Sequence, residues 1–150
     1  AARAAQAARA AAAARALAQA QARAEALSRA KADEECETCP CRRNMLISRS
    51  ASPQAAQHIL DAQAAGQPRV LTLDKNPANV AARRSAATSR LPTMPGMDRD
   101  EYPPATFAEG GATASVRHVS RSDNRSAGGQ MTSQLAGLPD GCRITVMVVP

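Results

Sequence analysis

A sharp change in composition near residue 44 limits what this chain can fold into. Residues 1–35 are mostly alanine, with arginines six or eight positions apart and neither Gly nor Pro. Alanine and arginine favour helix, but Leu17 and Leu27 are the only sizeable apolar residues, so a helix here has little surface to bury. The sequence therefore predicts an exposed helix first and a compact domain from residue 44 onward.

The predicted organisation is an Ala/Arg-rich helix with a cysteine-containing junction over residues 1–43, followed by a folded domain over residues 44–150. Three interpretations of the helix stay open: a solvated linker, a basic arm for nucleic acid, or a segment that docks against a parent chain. Acidic residues near its end dilute the positive charge and favour the linker. The chain starts with neither Met nor a Leu-rich signal sequence, so we expect a fragment of a larger protein.

Aromatic residues are almost absent, since Tyr102 and Phe107 are the only two and there is no Trp. We therefore expect a small core built from aliphatic residues, and little capacity for stacking on bases. The formal net charge of +6 permits a polyanionic partner. If the protein binds nucleic acid, we expect it to contact phosphates rather than read bases. No run approaches the roughly 18 apolar residues of a membrane-spanning helix.

Three of the four cysteines, Cys36, Cys39 and Cys41, form a C-x-x-C-x-C motif, and Cys142 lies far along the chain in a strand-like segment. Structural zinc needs four ligands, and the second Cys-x-x-Cys pair of such a site is missing. Three states of the motif stay open: a disulfide within the cluster, zinc shared with His or another chain, and free thiols.

Period, cap and turn patterns predict an α+β fold, with a small sheet and short helices. In its first half we expect a strand at 45–47, a helix from Pro53 to residue 64 with Ser52 as N-cap, a strand at 69–73 and a helix over 78–90. In the second half of the domain we expect a strand at 112–119, a polar loop at 120–126, a helix at 130–138 and a strand at 142–149. The last strand is apolar enough to be central in the sheet.

Three acidic residues fall within four positions in the segment Asp98-Arg99-Asp100-Glu101. Neighbouring side chains of an extended segment point to opposite faces, so Asp98 and Asp100 can share one face. Crowded carboxylates repel one another unless a cation or hydrogen-bond donors offset the repulsion. The segment is therefore a candidate metal site or general base, with a solvated acidic loop as the alternative.

A second polar cluster, Asp123-Asn124-Arg125, is followed by small residues at 126–129. Asparagine offers an oxygen ligand without adding charge, and an arginine beside it can bind a phosphate oxygen. Small residues would let phosphate approach the start of the following helix. The alternative is an ordinary turn that caps a helix. The candidates for phosphate contact are Arg99, Arg117, His118 and Arg125, and His118 is also a weaker candidate base.

These motifs resemble the NucA/NucB family of bacterial nucleases. The resemblance rests on Asp98 to Pro103 and Asp123 to Arg125, with residues 55–62 and 66–74 matching the family's N-terminal half. It covers about residues 44–150. It implies a small, sugar-nonspecific endonuclease that depends on Mg²⁺ or Mn²⁺ and has a minimal ββα-metal-like site, and we expect DNA as its substrate.

The same resemblance implies roles for individual residues. Asp100 matches the general base, and Asn124 matches a metal ligand in the loop before the helix. Gln134 matches a position where the family has an acidic metal ligand, and glutamine keeps an oxygen there but loses the charge. Either Glu101 or Asp123 supplies the missing carboxylate, or water and phosphate complete the set, or the site is weakened.

A helix and a cysteine junction ahead of such a domain resemble the C-terminal toxin module of a polymorphic or Rhs-type bacterial effector. That resemblance implies a parent effector chain, delivery by a secretion system into the cytoplasm of a target cell, and a cognate immunity protein. Two other classes of function remain open: a catalytically silent DNA-binding module, and a structural or interaction fragment in which the N-terminal helix is the working part.

Overall fold

The computed structural model describes Gln6, residues 9–23 and residues 39–150, and it divides the chain into two units, residues 1–38 and 39–150. In the first unit, residues 9–23 form a helix, α1, with exposed side chains. This confirms the predicted exposed helix at those positions. The predicted remainder of that helix and Cys36 lie outside the described residues. None of the described helices is long and apolar enough to cross a membrane.

The second unit has an α+β fold, as the sequence predicts. Its elements are β1 (Arg42–Ser48), α2 (Pro53–Ala64), β2 (Val70–Thr72), α3 (Pro77–Thr88), β3 (Met97–Tyr102), β4 (Ser115–Ser120), α4 (Arg121–Leu135) and β5 (Arg143–Val149). Proline stands at the first position of α2 and of α3, where its missing N–H costs no hydrogen bond.

The core lies under a three-stranded sheet in which β5 is central, parallel to β1 and antiparallel to β2. The predicted central position of the last strand is therefore confirmed. Alternate strand residues point inward and pack on the buried face of α2; the buried residues include Met45, Ile47, Leu71, Ile144, Val146 and Ile59. The two aromatic residues, Tyr102 and Phe107, are also buried, and burial raises the pKa of Tyr102 to about 12.

Strands β3 and β4 form a separate antiparallel pair with Asp100 opposite Arg117, and α4 begins directly after β4. The consecutive β3, β4 and α4 give the predicted ββα arrangement. The predicted polar loop at 120–126 and the helix start at 130 are wrong, because α4 already begins at Arg121. Its N-cap is Ser120, whose hydroxyl accepts a hydrogen bond from the Asp123 N–H.

A disulfide joins Cys41 to Cys142, with 4.6 Å between their Cα atoms. These residues precede β1 and β5, and the parallel pairing of the two strands brings their first residues together. None of the described cysteines is a free thiol. For Cys41, the predicted free thiol, zinc ligand and disulfide within the motif are therefore all wrong.

Candidate active site

The side chains of β3 alternate between two faces. Asp98 and Asp100 point toward α4 and α2: Asn124 donates from Nδ2 to Asp98 Oδ2 at 3.3 Å, and His58 Nδ1 lies 2.7 Å from Asp100 Oδ2. Arg99 and Glu101 point toward α3 and the segment that follows it. The predicted sharing of one face by the two aspartates is thus confirmed.

A groove with a volume of about 990 Å³ runs along β3 between α3 and α4. Of the predicted site residues, the structure brings five to this groove: Asp98, Arg99, Asp100, Glu101 and Asn124. Further cationic side chains in its walls are Lys75, Arg84 and Arg121. The groove therefore combines acidic oxygen ligands with positive charge, which is the combination that a metal-assisted reaction on phosphate requires.

The first turn of α4 supplies Asn124 to the groove. While its Nδ2 donates to Asp98, its Oδ1 accepts no hydrogen bond from any described residue. Arg121 Nε lies 3.5 Å from Asp98 Oδ1. The turn therefore places an amide oxygen and a guanidinium beside one carboxylate, next to the N–H groups at the start of a helix.

Glu101 has one oxygen that lacks a partner. Its Oε1 accepts from the Ala105 N–H at 3.2 Å and from Arg84 Nε at 3.4 Å. Its Oε2 is buried and finds no hydrogen-bond partner in the described part of the chain, and the side chain is 10% exposed. A buried carboxylate oxygen without a partner is costly, so this atom marks a place where a ligand would be favourable.

The implied Mg²⁺ or Mn²⁺ would need oxygen ligands from the groove. Among the described residues, no group of three or more His, Cys, Asp and Glu side chains is arranged to hold a metal ion. The groove instead offers Asp98, Asp100 and the Asn124 amide oxygen on one face of β3, and the unpaired Glu101 oxygen lies on the other face. Mg²⁺ prefers oxygen ligands, keeps several waters and needs only one or two carboxylates from the protein. This donor set therefore fits a hydrated hard cation.

His58 is a site residue that the sequence did not predict. It is fully buried, and besides the contact with Asp100 its Nε2 lies 2.9 Å from Ser115 Oγ. Its neighbours on the same face of α2, Ala55 and Ala62, are buried as well. The only signal in the sequence was a polar residue on the apolar face of a helix, and that pattern does not reveal a partner on β3.

Asp123, predicted to be a metal ligand, caps α2 instead. Its Oδ2 accepts from the Gln54 N–H at 3.0 Å, and its Oδ1 accepts from the Ala55 N–H at 2.9 Å. Both donors lie in the first turn of α2, where the N-cap Ser52 makes no side-chain cap bond. The carboxylate is thus committed to helix capping, and the structure does not bring it to the groove.

Gln134, the other predicted helical ligand, lies on a different side of α4. Its Oε1 accepts from the Leu46 N–H and its Nε2 donates to the Leu46 carbonyl, both at 2.8 Å. Its amide therefore pairs with the backbone of β1, and Gln134 does not line the groove. This placement does not support a role as metal ligand.

The side chains predicted to contact phosphate lie in different environments. Arg99 lines the groove and donates to the carbonyls of Thr88 and Leu91. Arg117 forms an ion pair with Asp61 at 2.8 Å, and hydrogen bonds from Gln57 and then Arg117 hold the pKa of Asp61 below its ordinary value.

The two remaining candidates, His118 and Arg125, do not line the groove. His118 donates from Nε2 to the Pro92 carbonyl at 2.7 Å. Arg125 is exposed and makes no hydrogen bond or ion pair within the described residues. Of the four predicted phosphate contacts, the structure therefore places Arg99 alone in the groove wall.

Comparison with known proteins agrees with this geometry. The family model described as deoxyribonuclease NucA/NucB matches residues 59–147, a range that contains Asp98, Asp100 and Asn124. The DNA-entry nuclease of Bacillus subtilis (strain 168) is 40% identical over 92 residues, which are 61% of this chain and 61% of that protein. The chain thus aligns with less than two thirds of that relative. Because the family match covers more than half of the sequence, this chain belongs to the NucA/NucB deoxyribonuclease family.

Proposed function

We propose that this protein is an endonuclease that hydrolyses DNA phosphodiester bonds with Mg²⁺ or Mn²⁺ as cofactor. The observation that carries the proposal is the meeting of Asp98 and Asp100 from β3 with Asn124 from α4 in a groove with cationic walls. Membership of a deoxyribonuclease family and the similarity to a DNA-entry nuclease support DNA as the substrate.

In the proposed mechanism, Asp100 is the general base. Its Oδ2 is bonded to His58, and its Oδ1 accepts no hydrogen bond from any described residue. Oδ1 therefore takes the proton of a water molecule, whose oxygen attacks phosphorus while the bond from phosphorus to the leaving oxygen breaks. The leaving oxygen then takes a proton from solvent.

Asp98 and Asn124, which meet on the α4 side of β3, are the residues that would hold the cation. When bound, the cation would stabilise negative charge on the phosphate and on the leaving oxygen. Arg121, beside Asp98, and Arg84, beside Glu101, lie close enough to these acids to offset their repulsion toward DNA.

Low base specificity follows from the composition of the groove. Neither Tyr102 nor Phe107, the two aromatic residues of the sequence, lines the groove, so bases cannot stack on them there. Cationic side chains such as Lys75, Arg84 and Arg121 contact phosphates, which carry no direct sequence information. We therefore propose cleavage that is nearly independent of sequence.

A plasmid-nicking assay with Mg²⁺, Mn²⁺ or a chelator tests this proposal, with Asp100→Ala as the matched variant. We expect cleavage that requires the metal and is lost in Asp100→Ala, while DNA binding by the variant persists. Cleavage by Asp100→Ala at the parental rate would refute the assignment of the base.

DNA binding with steep salt dependence and no cleavage under either metal would favour the second candidate, a catalytically silent DNA-binding module. The observation that favours this candidate is the lack, among the described residues, of a cluster of three or more His, Cys, Asp or Glu ligands.

We also propose that the protein acts after export from the cell that makes it. The Cys41–Cys142 disulfide supports this, since such bonds persist in oxidising compartments. We extend the proposal to delivery into the cytoplasm of a target cell, as part of a parent effector chain and with an immunity protein in the producer. Cytoplasmic expression in a test bacterium should cause DNA loss with the parental chain but not with Asp100→Ala. Survival of cells that contain active parental enzyme would contradict the toxin role.

A further inference from the structure

The imidazole of His58 is held between two polar groups inside the protein. It is fully buried, with Asp100 Oδ2 at 2.7 Å from Nδ1 and Ser115 Oγ at 2.9 Å from Nε2. Both ring nitrogens therefore have partners, as a buried polar side chain requires. His58 does not line the groove, so it cannot touch a substrate bound there.

The contact with Asp100 identifies the proton on the ring. An ionised carboxylate only accepts hydrogen bonds, so Nδ1 must be the donor in the contact with Asp100. The distance of 2.7 Å is typical of a hydrogen bond strengthened by charge. The Ser115 hydroxyl can donate or accept, and it fixes the ring plane from the other side.

The helix that carries His58 is itself tied to α4. Asp123 accepts hydrogen bonds from the N–H groups of Gln54 and Ala55, one turn before His58. Asn124, the next residue on α4, lines the groove. Asp123 thus anchors the helix that carries His58, and the next residue, Asn124, supplies a side chain to the groove. The residue that contacts Asp100 and the Asn124 side chain are therefore both held in place by α4.

We infer that His58 is the positioning residue for the general base. Its Nδ1–H holds Oδ2 of Asp100, so that Oδ1 is the oxygen left to take a proton from water in the groove. Ser115 acts one step further away by orienting the ring. This inference rests on the proposed function, since it gives His58 a role only through Asp100.

Three substitutions separate positioning from packing. Leucine in His58→Leu fills the space but bonds to neither partner, while His58→Asn can place an N–H near the position of Nδ1. The amide of His58→Gln reaches instead toward Ser115. We expect His58→Leu and His58→Gln to lower kcat in plasmid nicking by about 10-fold to 100-fold with KM unchanged, and His58→Asn to recover most of the loss.

Thermal unfolding of each variant measures the effect on stability separately. If His58→Leu does not fold, the pair His58→Gln and His58→Asn still tests the inference, because only His58→Asn keeps a donor to Asp100 and should keep most of the parental kcat. If all three His58 variants lose kcat equally and lose stability to a matching extent, His58 has a structural role only. That result would overturn the inference.

Nitrogen NMR of the His58 ring provides a readout besides activity. We expect the proton on Nδ1 in the parental protein and a changed ring signal in Asp100→Ala. A ring that is unprotonated at Nδ1 would overturn the inference. Parental protein without nuclease activity would refute the proposed function, and the inference with it. Active, Asp100-dependent protein whose His58→Leu variant keeps the parental kcat would refute the inference alone.

Discussion

Asn124 and Gln134 lie on the same helix and carry the same functional group, yet their surroundings differ completely. The amide of Asn124 meets the carboxylate of Asp98 in an open groove, whereas the amide of Gln134 pairs with both backbone groups of Leu46. An amide can bind a cation or replace a missing backbone partner. The comparison shows that the neighbouring element, rather than the residue type, decides between these two uses.

The side of α4 that faces β1 protects the edge of a sheet. One turn before Gln134, Gln130 accepts from the Ser48 N–H at 2.8 Å and donates to Ser52 Oγ at 3.0 Å. Strand β1 is at the edge of its sheet, where unpaired backbone groups invite association with other chains. The two glutamines therefore occupy sites that a further strand would otherwise fill.

Among the substitutions on α4, replacing the groove amide should have the largest effect. Asn124→Ala removes the proposed oxygen ligand and leaves the helix intact, so we expect kcat/KM for plasmid cleavage to fall about 100-fold, or about 2.7 kcal/mol in activation free energy. The melting temperature should stay near the parental value. Parental activity in Asn124→Ala would contradict the proposed functional difference between the side of α4 that faces the groove and the side that faces β1.

Replacing the neighbouring residue should affect mainly stability. Asp123→Ala leaves the Gln54 and Ala55 N–H groups without their acceptor, and we expect a loss of about 2 kcal/mol in the free energy of unfolding. Urea unfolding measures this loss. Asp123→Asn, which keeps an accepting oxygen, should lose less, and equal stability of all three proteins would contradict the capping role.

Gln134→Glu tests the sequence-based role of Gln134 against the structural one. A carboxylate still accepts from the Leu46 N–H but cannot donate to the Leu46 carbonyl, so we expect about 1 kcal/mol less stability in urea unfolding. The concentration of Mg²⁺ or Mn²⁺ for half-maximal cleavage should not change. A lower metal requirement would show that Gln134 reaches the cation after all.

The smallest effect is expected at Arg125, which is exposed on α4 and does not line the groove. If Arg125 contacts one phosphate, Arg125→Gln should make the slope of log affinity against log salt concentration shallower by about 0.9 and leave kcat unchanged. Arg121→Gln, from the groove wall, is the matched control and should also lower kcat. A loss of kcat in Arg125→Gln would show that the catalytic surface extends to this turn of α4.

Local patterns in the sequence predicted much of the fold. The Ser52-Pro53 start of α2 and the apolar run of β5 lie where these patterns place them. The alternation along β3 likewise predicted that Asp98 and Asp100 share a face. These features depend on short-range periodicity, which a single sequence contains.

Contacts between distant residues could not be predicted. The start of α4 was missed because polar residues and the pair Gly128-Gly129 suggested a loop, while packing on α2 and β1 overrides their weak helix propensity. The partner of His58 lies 42 positions away on β3, and the partner of Cys41 lies 101 positions away. Such pairings follow from tertiary structure, which no local spacing encodes.

The Cys41–Cys142 bond has a further consequence for the durability of the protein. It closes a covalent ring around nearly all of the second unit, and His58, Asp100 and Asn124 all lie inside that ring. A protease that cuts one exposed loop within the ring therefore leaves both pieces attached to each other. Such a clipped molecule keeps its full mass until a reductant is added, so a single cut cannot shed any of the three residues.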